Sequence, residues 1–119
     1  MHNKLLVFIG AIFAVLLAAC SSNPNPQDVS QPSSEPEQVE VKISDFTFKP
    51  ETVTVSVGTV VNWNNADGAA HTATSDAGDW DSGNLNTGSS FTFVFDQAGI
   101  FTYHCEIHPG MQGTIEVTQ

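Results

Sequence analysis

The chain has 119 residues, 40% of them apolar and only 13% charged, with three basic side chains against thirteen acidic ones and a formal net charge of −10. Such an excess of acid repels phosphate backbones and anionic lipid surfaces, so nucleic acid is not an expected partner and a basic protein is a better one. Two cysteines, two methionines and four histidines are few enough that each needs its own account.

The chain opens with an uncharged apolar run from Leu5 to Ala19, preceded by a single charge at Lys4. About fifteen residues fall short of the eighteen or more expected of a spanning helix and fit the apolar region of a secretory signal. The run ends in Leu17-Ala18-Ala19-Cys20, which resembles the lipobox of bacterial lipoproteins. That resemblance implies a signal peptide over residues 1–19, a lipid on Cys20, and a chain held at the outer face of a bacterial membrane, periplasmic or extracellular. Loss of Lys4 leaves two lysines against thirteen acids, a net charge of about −11. Cys105 is then the one remaining thiol, without an internal disulfide partner and free for a metal. Residues 20–38 are rich in Pro, Ser and Gln and cannot bury enough surface to offset their ordering entropy. They read as a flexible tether, with a reach of roughly 55 Å at about 3.1 Å per residue.

From Val39 to Gln119 the pattern becomes one of alternating apolar and polar residues, the signature of half-buried strands. Val39, Val41 and Ile43 share a face; Phe46 and Phe48 precede a break at Lys49-Pro50; Val53, Val55 and Val57 share the next face. Gly58 turns the chain into Thr59–Asn64, which carries Trp63. Phe91, Phe93 and Phe95 align on a later strand, Phe101, Tyr103 and Cys105 on another, and Thr114–Thr118 forms the last. No convincing helical period interrupts them. Seven or eight short strands in one domain predict an all-β fold, a small antiparallel sandwich with Greek-key connections. An immunoglobulin-like sandwich would normally bring paired cysteines, which this domain lacks.

Asn65–Ala70 reads as a loop delivering His71. Ser75–Gly88 reads as an exposed crossing loop anchored by Trp80 and Leu85. Its acids Asp76, Asp79 and Asp81 invite a calcium reading, but the fixed spacing and terminal Glu of a calcium loop are missing, and solvated turn acids account for them more simply.

The stretch F-T-Y-H-C-E-I-H-P-G-M-Q-G, Phe101 to Gly113, spaces Cys105, His108 and Met111 three residues apart. Three residues of strand advance about 10 Å, too far for two ligands of one ion, so the chain must curl after Cys105. Pro109-Gly110 supplies the curl, and a type II turn with Gly110 at positive φ is the predicted geometry. Thiolate, imidazole and thioether, with a second imidazole from His71, form the ligand set that favours a copper electron-transfer site. Strand alternation turns His104 to the face opposite Cys105. Glu106 reads as a solvated loop acid, or as a carboxylate near the metal.

The run Y-H-C-x-x-H-P-x-M, with a distant H-T after V-N-W-N-N, resembles the copper loop of the cupredoxin (type 1 blue copper) family, in its amicyanin- and plastocyanin-like form. The resemblance covers Val39 to Gln119. It implies one type 1 copper ion cycling between Cu(I) and Cu(II), held by His71, Cys105 and His108 with Met111 at a long axial position, and Thr72 tying the two ligand loops together. It departs from the family at Thr72, where amicyanins carry Asn, and at Ala70, where relatives often carry Pro. The implied function is single-electron transfer between transient protein partners docking near His108, by a monomer that is not an enzyme. A copper chaperone or storage protein is the alternative, although such proteins usually rely on several Met or paired Cys.

Overall fold

A computed structural model describes residues 35–119. The expected signal peptide, Cys20 and most of the tether lie outside the described residues. Within them the chain forms eight strands and no helix: β1 (Gln38–Ser44), β2 (Thr47–Lys49), β3 (Thr52–Ser56), β4 (Val60–Asn65), β5 (Thr74–Ser75), β6 (Ser90–Val94), β7 (Gly99–His104) and β8 (Gln112–Thr118). They make two four-stranded sheets, in the orders β2-β1-β4-β6 and β3-β8-β7-β5.

The all-β sandwich is as the alternation predicts, and four of its six strand pairs are antiparallel as expected, while two are parallel. β1 runs parallel to β4, with Val41 beside Trp63, and β3 runs parallel to β8, with Val53 beside Ile115. The reason lies in the crossing of the chain: β3 joins the opposite sheet from β1, so the chain re-enters the first sheet at β4 in the same direction as β1.

Alternation places one side of each sheet in the core. Val41, Ile43, Phe48, Val61, Trp63, Tyr103, Cys105 and Ile115 are completely buried. Each large aliphatic or aromatic side chain so removed from water contributes about 1.5–3 kcal/mol. Trp63 sits at the centre, stacked on Trp80 at 5.6 Å and edge-on to Tyr103 at 5.4 Å. Trp80 and Leu85 are both buried, so the long crossing loop is pinned by the two side chains that its sequence singles out. Burial pushes the Tyr103 phenol up to about 12, and it stays neutral in the core.

The acids of that loop are taken up by local hydrogen bonds. Asp81 accepts from Thr74 and from the Gly83 N–H, Asp79 accepts from Ser75, and Asp76 pairs with His104 at 2.5 Å. These partners favour the turn reading of the loop over calcium.

Candidate metal centre

Three elements meet at one end of the sandwich. His71 follows β4 and is fixed by a two-way backbone bridge to Leu85, His71 N–H to Leu85 O at 3.1 Å and Leu85 N–H to His71 O at 2.8 Å. Cys105 ends β7. His108 and Met111 lie on the loop leading into β8. That loop is closed twice, by Cys105 N–H to Met111 O at 3.0 Å and by Met111 N–H to His108 O at 2.8 Å.

The second of these bonds is the predicted turn across Pro109-Gly110. Its type differs from the expectation: Gly110 does not take the positive φ that type II requires. The physical reason is that Pro at the second position suits type I equally well, and type I asks nothing special of the third.

His71 and Cys105 are fully buried, Met111 nearly so, and His108 is half-buried. The Cys105 Sγ lies 3.8 Å from Nδ1 of His71 and 3.8 Å from Nδ1 of His108, and the two nitrogens are 3.2 Å apart. A point equidistant from the three lies about 2.1 Å from each, within the roughly 2.0–2.3 Å of bonds from a first-row metal to imidazole nitrogen and thiolate sulfur. Three donors, one of them a soft sulfur, therefore surround a space of the size of one ion, and they fit copper by chemistry as well as by dimension.

Thr72 stands between the two ligand loops. Its backbone N–H donates to Cys105 Sγ at 3.3 Å, and its hydroxyl accepts from Glu106 N–H at 2.8 Å while pairing with the Thr74 hydroxyl at 2.9 Å. Thr72→Val keeps the shape, deletes the hydroxyl and strands a loop N–H. The expected loss is about 1–3 kcal/mol of unfolding free energy in urea titration. His104 faces away from the thiolate toward Asp76, and the Glu106 side chain is exposed.

The Asp76 carboxyl is held below the ordinary carboxylate range, first by the Thr102 hydroxyl and then by His104, against a smaller opposing effect of burial. A depressed acid contributes stability that is present above its unfolded value near pH 4 and lost as pH falls through the lower folded value. Thermal unfolding of Asp76→Asn beside wild type is thus expected to show a difference at pH 7 that closes as the pH is lowered below about 4.

Sequence reasoning missed three residues here. Asn65, completely buried, donates to the carbonyls of Ala69 and Leu85, both at 2.8 Å, and accepts from Asp67 N–H at 2.9 Å. It stiffens the His71 loop in the absence of a proline at position 70. Asp67 accepts from Asp45 N–H at 2.7 Å and Phe46 N–H at 2.9 Å, and its Oδ2 lies 2.9 Å from His71 Nε2. Phe46 is 53% exposed, yet its ring stands edge-on to both His71 at 5.2 Å and His108 at 5.0 Å. The signal for Asn65 was legible: Asn followed two residues later by Asp-Gly is a turn-forming pattern.

Comparison with known proteins agrees with this geometry. A family model described as a cupredoxin-like domain matches residues 9–117. Plastocyanin from Scenedesmus fuscus is 37% identical over 85 residues, covering 60% of this chain and 87% of the relative. Amicyanin-alpha from Methylorubrum extorquens is 28% identical over 83 residues, covering 66% and 70%. Among solved structures, an oxidised amicyanin variant superposes with a TM-score of 0.65 at 26% identity, over 68% of this chain and 82% of that one. A copper-containing nitrite reductase from Thermus scotoductus superposes with a TM-score of 0.67 at 28% identity over 71% of this chain, which spans only 23% of the reductase.

Proposed function

The chain belongs to the cupredoxin-like domain family, and on that premise we propose that it is a mononuclear type 1 copper protein that passes single electrons between protein partners. It is an electron carrier, not an enzyme. The observation that carries this reading is the buried triangle of Cys105 Sγ and two imidazole Nδ1 atoms, sized for one ion. His71, Cys105 and His108 would hold the metal, and the buried Met111 on the same loop would offer a weak thioether beside them. Copper bound there supplies a one-electron Cu(II)/Cu(I) couple.

The protein contributes a frame that does not have to rearrange. The His71 loop is tied by Asn65 and Leu85, the Cys105–Met111 loop by its two backbone hydrogen bonds, and the two loops to each other by Thr72. A site fixed in advance avoids reorganisation when charge changes. His108 is the ligand closest to solvent, and Phe46 and Ile107 are exposed apolar side chains, the first against its ring and the second next to it in sequence. A small apolar patch around one ligand edge suits brief docking, since transient redox encounters need little area. The acidity of the chain favours basic partners.

In the cell, the reading places the domain outside the cytoplasm, anchored by lipid on Cys20 and extended on the tether of residues 20–38. The lipobox-like Leu17–Cys20 run supports the anchor. Metabolic labelling with a palmitate analogue tests it: wild type is expected to label, and Cys20→Ala is not. Visible absorption of the purified, copper-loaded protein tests the redox centre. An intense thiolate-to-copper band that bleaches on reduction and returns on oxidation is expected. A colourless protein that binds Cu(I) tightly without cycling would instead indicate copper storage or delivery.

A further inference from the structure

Resting on the copper reading above, we propose that Asp67 is a positioning residue for the metal centre: its carboxylate accepts the Nε2–H of His71, leaves Nδ1 free as the ligand atom, and biases a bound copper ion toward its oxidised, more positive state. Three observations carry this.

The first is orientation. Imidazole has two nitrogens, and the one that carries the proton is set by what the other faces. Nε2 of His71 faces Asp67 Oδ2 at 2.9 Å, while Nδ1 faces Cys105 Sγ and His108 Nδ1. A carboxylate can only accept, so Nε2 donates and Nδ1 presents its lone pair to the ion site. A carboxylate behind a ligating imidazole also raises its basicity.

The second is that Asp67 is itself held in place. Its oxygens accept from the N–H groups of Asp45 and Phe46, two consecutive non-glycine residues with φ of 52° and 54°, and its own N–H donates to Asn65. That left-handed pair costs conformational energy for residues with a Cβ. The Asp67 carboxylate is the partner that holds both amides there, and with them the Phe46 ring against His71 and His108.

The third is burial. His71 is inaccessible to solvent and the Asp67 side chain is only 12% exposed, so the charge is weakly screened where it meets the imidazole. Glu106, the acid nearest the ligands in sequence, is by contrast exposed.

The test is the reduction potential of the full-length copper-loaded protein, measured spectroelectrochemically for wild type, Asp67→Asn and Glu106→Gln. Asp67→Asn is expected to lower the preference for Cu(II) over Cu(I) about tenfold, which for one electron is a rise of about 59 mV. Glu106→Gln is expected to change it less than twofold. Equal shifts in the two variants would reduce Asp67 to one diffuse charge among several and overturn the proposal, as would no shift in Asp67→Asn. Should Asp67→Asn fail to fold, proton NMR of the wild-type Cu(I) protein decides the point. A slowly exchanging, downfield imidazole Nε2–H assigned to His71 is expected, and its absence overturns the proposal. Failure of the copper reading looks different, because the wild type would then show no thiolate-to-copper band.

Discussion

Cys105→Ala is expected to abolish the visible band of the copper-loaded protein and with it most of the stabilisation that copper confers. The sulfur is the soft, charged member of the ligand triangle, fully buried, 3.8 Å from both ligand nitrogens. Without it two imidazoles and a weak thioether remain, a neutral set that holds copper far more weakly and cannot give a thiolate charge-transfer transition. The second effect follows from linkage. A metal present at a hundred times its dissociation constant stabilises the folded state by about 2.7 kcal/mol, provided the unfolded chain does not bind it. In a small domain that amounts to a rise of roughly 10–20 °C in midpoint. Wild type should therefore gain that much on copper loading and lose it again on chelation, whereas Cys105→Ala should melt at nearly the same temperature with and without copper. Deleting one buried sulfur costs the metal-free fold little by comparison, about 1 kcal/mol, so the two contributions separate cleanly. A variant that keeps the band would remove Cys105 from the ligand set.

Gly113→Ala is expected to be the most damaging single methyl addition in the β7–β8 pair. Gly113 pairs across the sheet with Tyr103, whose ring lies over it. A Cβ at position 113 would stand 2.3 Å from Tyr103 Cζ, 2.4 Å from its hydroxyl and 2.6 Å from Cε1. The ring cannot retreat, because Tyr103 is completely buried and packed edge-on against Phe48 at 4.7 Å and Trp63 at 5.4 Å. Overpacking of this kind typically costs about 1–3 kcal/mol, and the depth of this overlap puts the expected loss at the upper end, about 3 kcal/mol in urea titration. Gly110→Ala is the matched control. Nothing lies within 4 Å of the added atom and the φ is not left-handed, so its expected change is within about 0.5 kcal/mol. Equal effects at the two positions would mean that Tyr103 has room to move.

Gly113 also shows where reading a sequence stops. Its neighbourhood offers a Gly in a strand pattern, which signals a close backbone approach but does not say to what. The partner is Tyr103, ten positions earlier, and only the β7–β8 register brings the two together. Phe46 is a similar case. It stands two residues before Phe48, and nothing in the local pattern separates the two, yet Phe48 is buried and Phe46 is exposed. The left-handed backbone at Asp45 and Phe46 turns the first ring outward onto the two histidines. Asp67 lay unremarked in a polar loop because its partners come from the β1–β2 turn and from His71, and no local pattern encodes a contact across 21 or 22 residues.

The order of residues along the chain encodes what short-range chemistry can encode. Alternation with period two specifies strands and their buried faces, because each side chain points opposite to its neighbour whatever the strand pairs with. The close spacing of Cys105, His108 and Met111 around Pro109-Gly110 specifies a compact loop of copper-favouring donors, because both the ligand types and the turn are local. The tertiary structure decided which strands run parallel, which form of turn carries His108, how near His71 comes to the thiolate, and which carboxylate stands behind it. Those are matters of packing two sheets face to face, where elements far apart in the chain are brought within hydrogen-bond distance by burial of the core they share.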